Sequence, residues 1–241
     1  MDPRISVIGK RLSKIKRIIA VASGKGGVGK SLIASTLALK LSKKGYNVGL
    51  LDLDLYGPSS HVILGVTNYS FPEEEKGILP HKVDDIKFIS IVYFTEDKPA
   101  PLRGMDITNI IIELLSIIQW GNLDFLIIDM PPGIGDETLD VIKLVKKCEF
   151  LVVTTPSKVS IVAVSKLLKI LKELKLPIIG VIENMQMKSS DFIKTNVSKL
   201  DISYLNSIKL DKNLEESIGV PKKLLITDFM KDFEKIIEKI I

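Results

Sequence analysis

Eight residues, Gly24-Lys25-Gly26-Gly27-Val28-Gly29-Lys30-Ser31, have the types and spacing of a loop that holds phosphates. Glycines let backbone N–H groups converge on anionic oxygens, and a following helix adds the positive end of its dipole. Lys30 would neutralise the terminal phosphates, and Ser31 would offer a hydroxyl to magnesium. Such chemistry needs a strand before the loop and a helix after it. An apolar run at 18–22 and a helical pattern at 30–44 supply that order. The nucleotide-binding set expected is Gly24, Lys25, Gly26, Gly27, Val28, Gly29, Lys30, Ser31 and Leu32, with Asn184 added below. Lys25 is a second cation inside the loop, at a position an ordinary phosphate loop leaves free.

Carboxylates follow at matching places. A strand at 48–53 delivers Asp52 and Asp54, and Asp54 is nearer its C-terminal edge, where ligands of such sheets bind. Asp54 would position or polarise the attacking water, with Asp52 competing for the same role. Four apolar residues, 125–128, precede Asp129, which fits the carboxylate that holds hydrated magnesium. The magnesium set is therefore Ser31, Asp54 and Asp129, and the catalytic set Lys25, Lys30 and Asp54. Asp124 begins the same strand, far from the phosphates, and reads as structural. Gly133 and Gly135 leave the next loop free to change shape when a γ-phosphate departs. Asn184 ends a strand; its amide could read the N6/N7 edge of adenine or could simply serve a turn.

These residues need a scaffold that brings strand ends together. Apolar runs at 17–22, 47–53, 86–94, 125–130, 150–155 and 178–183 are continuous rather than alternating, as in strands buried on both faces. Helical patterns at 30–44, 105–120, 136–147 and 160–174 separate them. The expectation is an α/β, doubly wound, mostly parallel sheet flanked by helices, the P-loop NTPase fold, in one domain over 1–241. Residues 1–16 read as an N-terminal extension and 227–241 as a C-terminal helix packed on the sheet. Residues 72–80 read as a polar excursion and 187–202 as poorly periodic.

With 241 residues and 46% apolar content, the chain can bury a large core without staples. One cysteine, Cys148, excludes an internal disulfide and a four-cysteine metal site within one chain. A cytoplasmic location is expected. No run of 18 apolar residues offers a transmembrane segment, and residues 1–16 lack the apolar stretch of a signal peptide. The net charge of +5 is spread along the chain and reads first as a solvated surface.

Taken together, the motifs resemble the Mrp family of ATP-dependent iron–sulfur carriers, relatives of the Min-type and Par-type ATPases. The resemblance runs from about residue 17 to 226. Gly24–Ser31 looks like the family's P-loop. Asp52-Leu53-Asp54-Leu55-Tyr56-Gly57-Pro58-Ser59 is similar to its first switch, and Asp129-Met130-Pro131-Pro132-Gly133-Ile134-Gly135-Asp136 to its second. Leu102-Arg103-Gly104, Trp120-Gly121, Thr154-Thr155-Pro156 and Glu183-Asn184-Met185 resemble further landmarks. The resemblance implies ATP and Mg2+ as ligands, slow hydrolysis, a homodimer through the ATP site with Lys25 acting in trans, Asp54 serving hydrolysis, Asn184 holding adenine, and iron–sulfur client proteins.

One departure cuts across it. Carriers of this family often place Cys-x-x-Cys just after Glu-Asn-Met, so that two subunits share one cluster. Here those positions are Ser190 and Ile193, and neither supplies a thiolate. The nucleotide machinery looks intact while a bound cluster is doubtful. Cys148 reads as a buried small hydrophobe that ends a helix. The rival expectation is a Min/Par-like positioning or scaffold protein, whose ATP-set dimer binds a membrane, DNA or a partner protein.

Overall fold

The computed structural model describes residues 2–95 and 104–241. In chain order its elements are α1 (Pro3–Leu12), β1 (Ile15–Ser23), α2 (Lys30–Lys43), β2 (Val48–Asp52), α3 (Ser60–Leu64), β3 (His81–Val83), β4 (Ile86–Ser90), α4 (Val92–Thr95) and α5 (Gly104–Ile117). The second half adds β5 (Leu123–Asp129), α6 (Asp136–Leu144), β6 (Cys148–Thr154), α7 (Lys158–Glu173), β7 (Ile178–Gln186), α8 (Phe192–Ser198), β8 (Tyr204–Lys209), α9 (Pro221–Leu224) and α10 (Asp228–Ile240).

One eight-stranded sheet runs in the order β3-β4-β2-β5-β1-β6-β7-β8. Only β3 is antiparallel to its neighbour. The inner strands carry continuous apolar runs, 18–22 in β1, 125–128 in β5 and 150–153 in β6, because both faces are covered there. Successive residues serve opposite layers. Ile18 and Ala20 of β1 join the layer under α1, α5, α6, α7 and α8. Ile19 and Val21 join the layer under α2, α3, α9 and α10. The expected α/β architecture with a mostly parallel sheet is what the chain adopts.

Boundaries differ where apolar content misled. The run 86–94 is not one strand: β4 stops at Ser90, and α4 buries Val92 and Tyr93 in a helical turn. The pattern 136–147 ends early, at Leu144. Cys148 therefore does not end a helix; it opens β6, beside Ile18 of β1. The stretch read as an N-terminal extension holds a full helix, α1, capped by the Asp2 side chain on Arg4 N and tied to α5 by Arg4 to Glu113 and Asn109, and its last two residues, 15 and 16, already belong to β1. Within the poorly periodic 187–202, Ile193 and Val197 lie one turn apart and anchor α8. Of the Leu102-Arg103-Gly104 landmark, Leu102 and Arg103 lie outside the described residues.

At the chain's end, α10 buries Phe229, Met230, Phe233, Ile236, Ile237 and Ile240 against the sheet, as its spacing implies. Arg17 of β1 fixes this end. It grips the Glu149 carboxylate with two N–H groups at 2.8 and 2.9 Å and donates to the Ile240 carbonyl at 2.7 Å. Asp124 is structural, as expected: it pairs with Lys16 at 2.7 Å and accepts from Asn47 N at 2.8 Å. Among the described residues no helix is long and apolar enough to cross a membrane.

Candidate functional site: a phosphate loop facing three carboxylates

The C-terminal ends of β1, β2 and β5 converge because these strands are ladder neighbours. Asp52 pairs with Asp129 in register, and Val21 of β1 pairs with Asp129 from the other side. β1 turns into the loop at Ser23, whose hydroxyl donates to the Lys25 carbonyl at 2.9 Å.

Two glycines of the loop are forced by crowding. A Cβ on Gly24 would lie 2.5 Å from backbone atoms of Ala163 and Val164, so α7 packs directly on it. Gly29 has φ +84°, the left-handed region, and a Cβ there would collide with the Asn184 amide. The loop then enters α2 at Lys30. It encloses a cavity of about 290 Å3 whose lining includes Lys25, Gly27, Lys30, Ser31, Leu32 and Asp54.

Lys30 is the centre of the electrostatics. Its side chain is only 6% exposed, and its ammonium donates to Asp129 at 2.5 Å, with Asp54 at 3.8 Å. Ser31 Oγ is 3.5 Å away. Asp129 is fully buried and also accepts from Ser60 Oγ at 3.1 Å. Burial pushes Asp129 above the ordinary carboxylate range, while Lys30 and the hydroxyls of Ser31 and Ser60 pull it down. Asp52 is equally buried. Desolvation, then repulsion from Asp129, push it up to about 8, against the pull of Lys30 and the Asp54 N–H.

The competition between Asp52 and Asp54 has a geometric outcome. Asp52 accepts from Asp54 N at 3.1 Å, Ser60 N at 3.3 Å and Ser90 Oγ at 3.4 Å, so it braces the loop that follows β2. Asp54 is the one that lines the cavity. Ser60 was not singled out from sequence. Its signal was weak: a serine three residues after Gly57, one among many, gains meaning only when α3 is seen to aim it at Asp129.

Asn184 is buried behind the loop rather than lining the cavity. Its Nδ2 donates to the Val28 carbonyl at 2.9 Å. Val28 itself turns its side chain into the core. Gly133 N donates to Ser23 O at 3.0 Å, and Thr138 Oγ1 donates to Gly133 O at 3.1 Å, so the second switch abuts the phosphate loop. Lys25 is partly exposed and makes no ion pair among the described residues.

The oxygen donors Ser31, Asp54 and Asp129 suit a hard cation such as Mg2+. Among the described residues no three His, Cys, Asp or Glu side chains cluster as a metal site. Magnesium shared with phosphates and water needs only one or two carboxylates, so the donor set fits it. At the two positions that the resemblance assigns to paired cysteines, Ser190 is exposed and accepts from Phe192 N, and Ile193 is buried in α8.

Comparison with known proteins agrees with this geometry. Residues 14–241 match the family model described as NUBPL iron-transfer P-loop NTPase. An iron–sulfur cluster carrier protein of Methanocaldococcus jannaschii is 37% identical, over 97% of this chain and 87% of its own length. One from Aquifex aeolicus is also 37% identical, over 90% of this chain but 64% of its own length. In structure, a nucleotide-binding protein from Archaeoglobus fulgidus in complex with ADP superposes with a TM-score of 0.79, at 30% identity, over 95% of this chain and 96% of that one. A glycine loop on β1, a lysine set between the carboxylate that ends β5 and one just past β2, and a match along nearly the whole chain lead to one conclusion: the chain belongs to the NUBPL-type iron-transfer P-loop NTPase family.

Proposed function

We propose that the chain is one domain, a cytosolic Mg-ATP-dependent dimeric ATPase with slow turnover, acting in iron–sulfur cluster assembly. The observation that carries this is Lys30, clamped between Asp129 and Asp54 at the foot of a glycine loop. In this reading the loop N–H groups and Lys30 bind the β and γ phosphates. Ser31, Asp129 and Asp54 would hold Mg2+, which would neutralise charge on the phosphate oxygens. Asp54 orients the attacking water. Lys25 reaches the nucleotide of a second copy, and the Asn184 amide, already fixed behind the loop, reads the adenine edge. The relatives' role as cluster carriers suggests iron–sulfur clients, but Ser190 and Ile193 leave this chain without the paired thiolates of a shared cluster. Its place is then that of a paralogue that keeps the nucleotide switch and has lost the cargo site.

The test is ligand-linked stability. At about 100-fold excess over its Kd, Mg-ATP stabilises a specific native state by roughly 2.7 kcal/mol. Lys30→Ala should lose most of the resulting rise in Tm. Equal responses of wild type and variant to millimolar Mg-ATP would remove the site. The basic balance of +5 supports a second reading, an ATP-set dimer that binds DNA or an anionic membrane. Salt-sensitive binding to either, gained only with ATP, would favour it.

A further inference from the structure

A second concave site lies on the face of the sheet that α1 covers, toward the end of β1 opposite the phosphate loop. Ile5, Gly9 and Leu12 of α1 form one wall, Leu144 and Val145 at the end of α6 the other, and Ile18 of β1 the floor. The cavity measures about 290 Å3. That is roughly twice the ~150 Å3 apolar cavity that admits one benzene. Leu12, Ile18 and Val145 are buried, so the apolar surface is recessed rather than protruding.

Gly9 is otherwise unexplained. It sits inside α1, where glycine weakens a helix relative to alanine. A Cβ built there would meet nothing within 4 Å, so neither crowding nor a turn demands glycine. Its missing side chain leaves the mouth of the cavity open.

The rim is basic. Lys143, Lys146 and Lys147 line it, and no acidic side chain does among the described residues. Asp140 pairs with Lys143 at 3.9 Å and also accepts from Thr108 Oγ1 at 2.5 Å. Glu149 is held by Arg17. Cations near a helix C-terminus complement its dipole. That accounts for Lys143, which is in the last turn of α6. Lys146 and Lys147 lie beyond the helix end, are exposed, and make no ion pair among the described residues.

We infer that this cavity binds a small amphipathic anion. Its apolar body, about the size of two benzene rings, rests on Leu12, Ile18 and Val145, and its carboxylate or sulfonate meets Lys146 and Lys147. A recessed pocket near the lower end of the roughly 300–1,000 Å3 range of ligand sites suits a free molecule better than a membrane surface.

The experiment uses nucleotide-free full chain and the fluorescent probe anilinonaphthalene sulfonate, with decanoate and decanol as competitors. Decanoate should displace the probe about tenfold better than decanol, because only the carboxylate gains charge-assisted hydrogen bonds. Gly9→Leu should fill the mouth and weaken probe binding about tenfold or more, while Gly9→Ala, a better helix former with little bulk, should keep it. The paired change Lys146→Gln with Lys147→Gln should weaken decanoate and leave decanol unchanged. Each variant should retain the Mg-ATP rise in Tm, which separates this site from the phosphate loop. Equal displacement by decanol and decanoate, or probe binding indifferent to Gly9→Leu, would overturn the inference. So would co-sedimentation with phosphatidylglycerol vesicles without any decanoate competition.

Discussion

The clearest quantitative prediction concerns Cys148, the one thiol the chain possesses. It opens β6, is 1% exposed, and burial pushes it from its ordinary 9.0 up to about 12. At pH 8 the thiolate fraction in the folded protein is then about 10⁻⁴, against about 10⁻¹ in the unfolded chain. Native protein should therefore react with Ellman's reagent about 10³-fold more slowly than protein in denaturant, before steric exclusion is added. The sign of the linkage follows. The folded thiol holds its proton more tightly than the unfolded one, so this contribution to stability is intact below pH 9 and is lost as pH rises from 9 toward 12. The position matters as much as the protonation. Ile18 pairs with Cys148 and Ser23 with Val153, so Cys148 lies five residues, about 16 Å, below the phosphate loop. A dimer formed through the nucleotide edge leaves its two Cys148 side chains on far edges, unable to share a four-iron cluster. Anaerobic reconstitution with iron and sulfide, then desalting, should give colourless protein. Rapid native labelling at pH 8, or a brown protein with about four irons per dimer that Cys148→Ser bleaches, would refute the reasoning.

Other consequences are testable with equal directness. Gly24→Val should abolish the Mg-ATP rise in Tm, since its Cβ would press on the backbone of Ala163 and Val164; an unchanged rise would show that α7 yields. Asp54→Ala should hydrolyse poorly yet hold a long-lived ATP dimer, whereas Lys25→Ala should weaken that dimer; light scattering with ATP reads both, and a wild type that stays monomeric would refute the role of Lys25. Phe233→Ala should cost about 3–5 kcal/mol in denaturant unfolding, because α10 buries that ring completely. Ser60→Ala should weaken the magnesium dependence of the Tm rise by freeing Asp129, and no change would make Ser60 merely a helix residue.

The phosphate loop and Asp129 were legible because their chemistry dictates both residue types and local order. The loop must follow a strand and precede a helix, and Asp129 must end one. Long-range brackets were not legible. That Ser60 reaches Asp129 depends on α3 folding back over 69 residues of sequence. The first three turns of the chain looked like a polar extension because Arg4 and Arg11 dominate α1. Yet both arginines are spent on partners in or beside α5, Glu113 and the Ser116 carbonyl, and Ile8 and Leu12 supply the buried face. The strand at 204–209 was missed for a related reason. At the sheet's edge β8 needs few apolar residues, and its buried pair is Leu205 and Ile208. At 91–94 the opposite error arose, because burial alone cannot distinguish a strand from a buried helical turn.

The sheet order also sets a timetable for synthesis. β1 carries the phosphate loop, but its neighbours are β5 and β6, not β2. When residues 15–31 leave the ribosome, the strand that must present the loop has no partner on either side. At about 5–20 residues per second, the roughly 130 residues to the end of β6 take on the order of 10 s to emerge. Throughout that interval the Ile and Val of β1 are an unpaired apolar edge, and ATP has nothing rigid to bind. A nascent chain halted after Asp129 has closed one flank of β1, and only a chain that has passed Thr154 has closed both. Nucleotide affinity should therefore be gained late and abruptly during translation, and the earliest-made functional motif is among the last parts of the molecule to become functional.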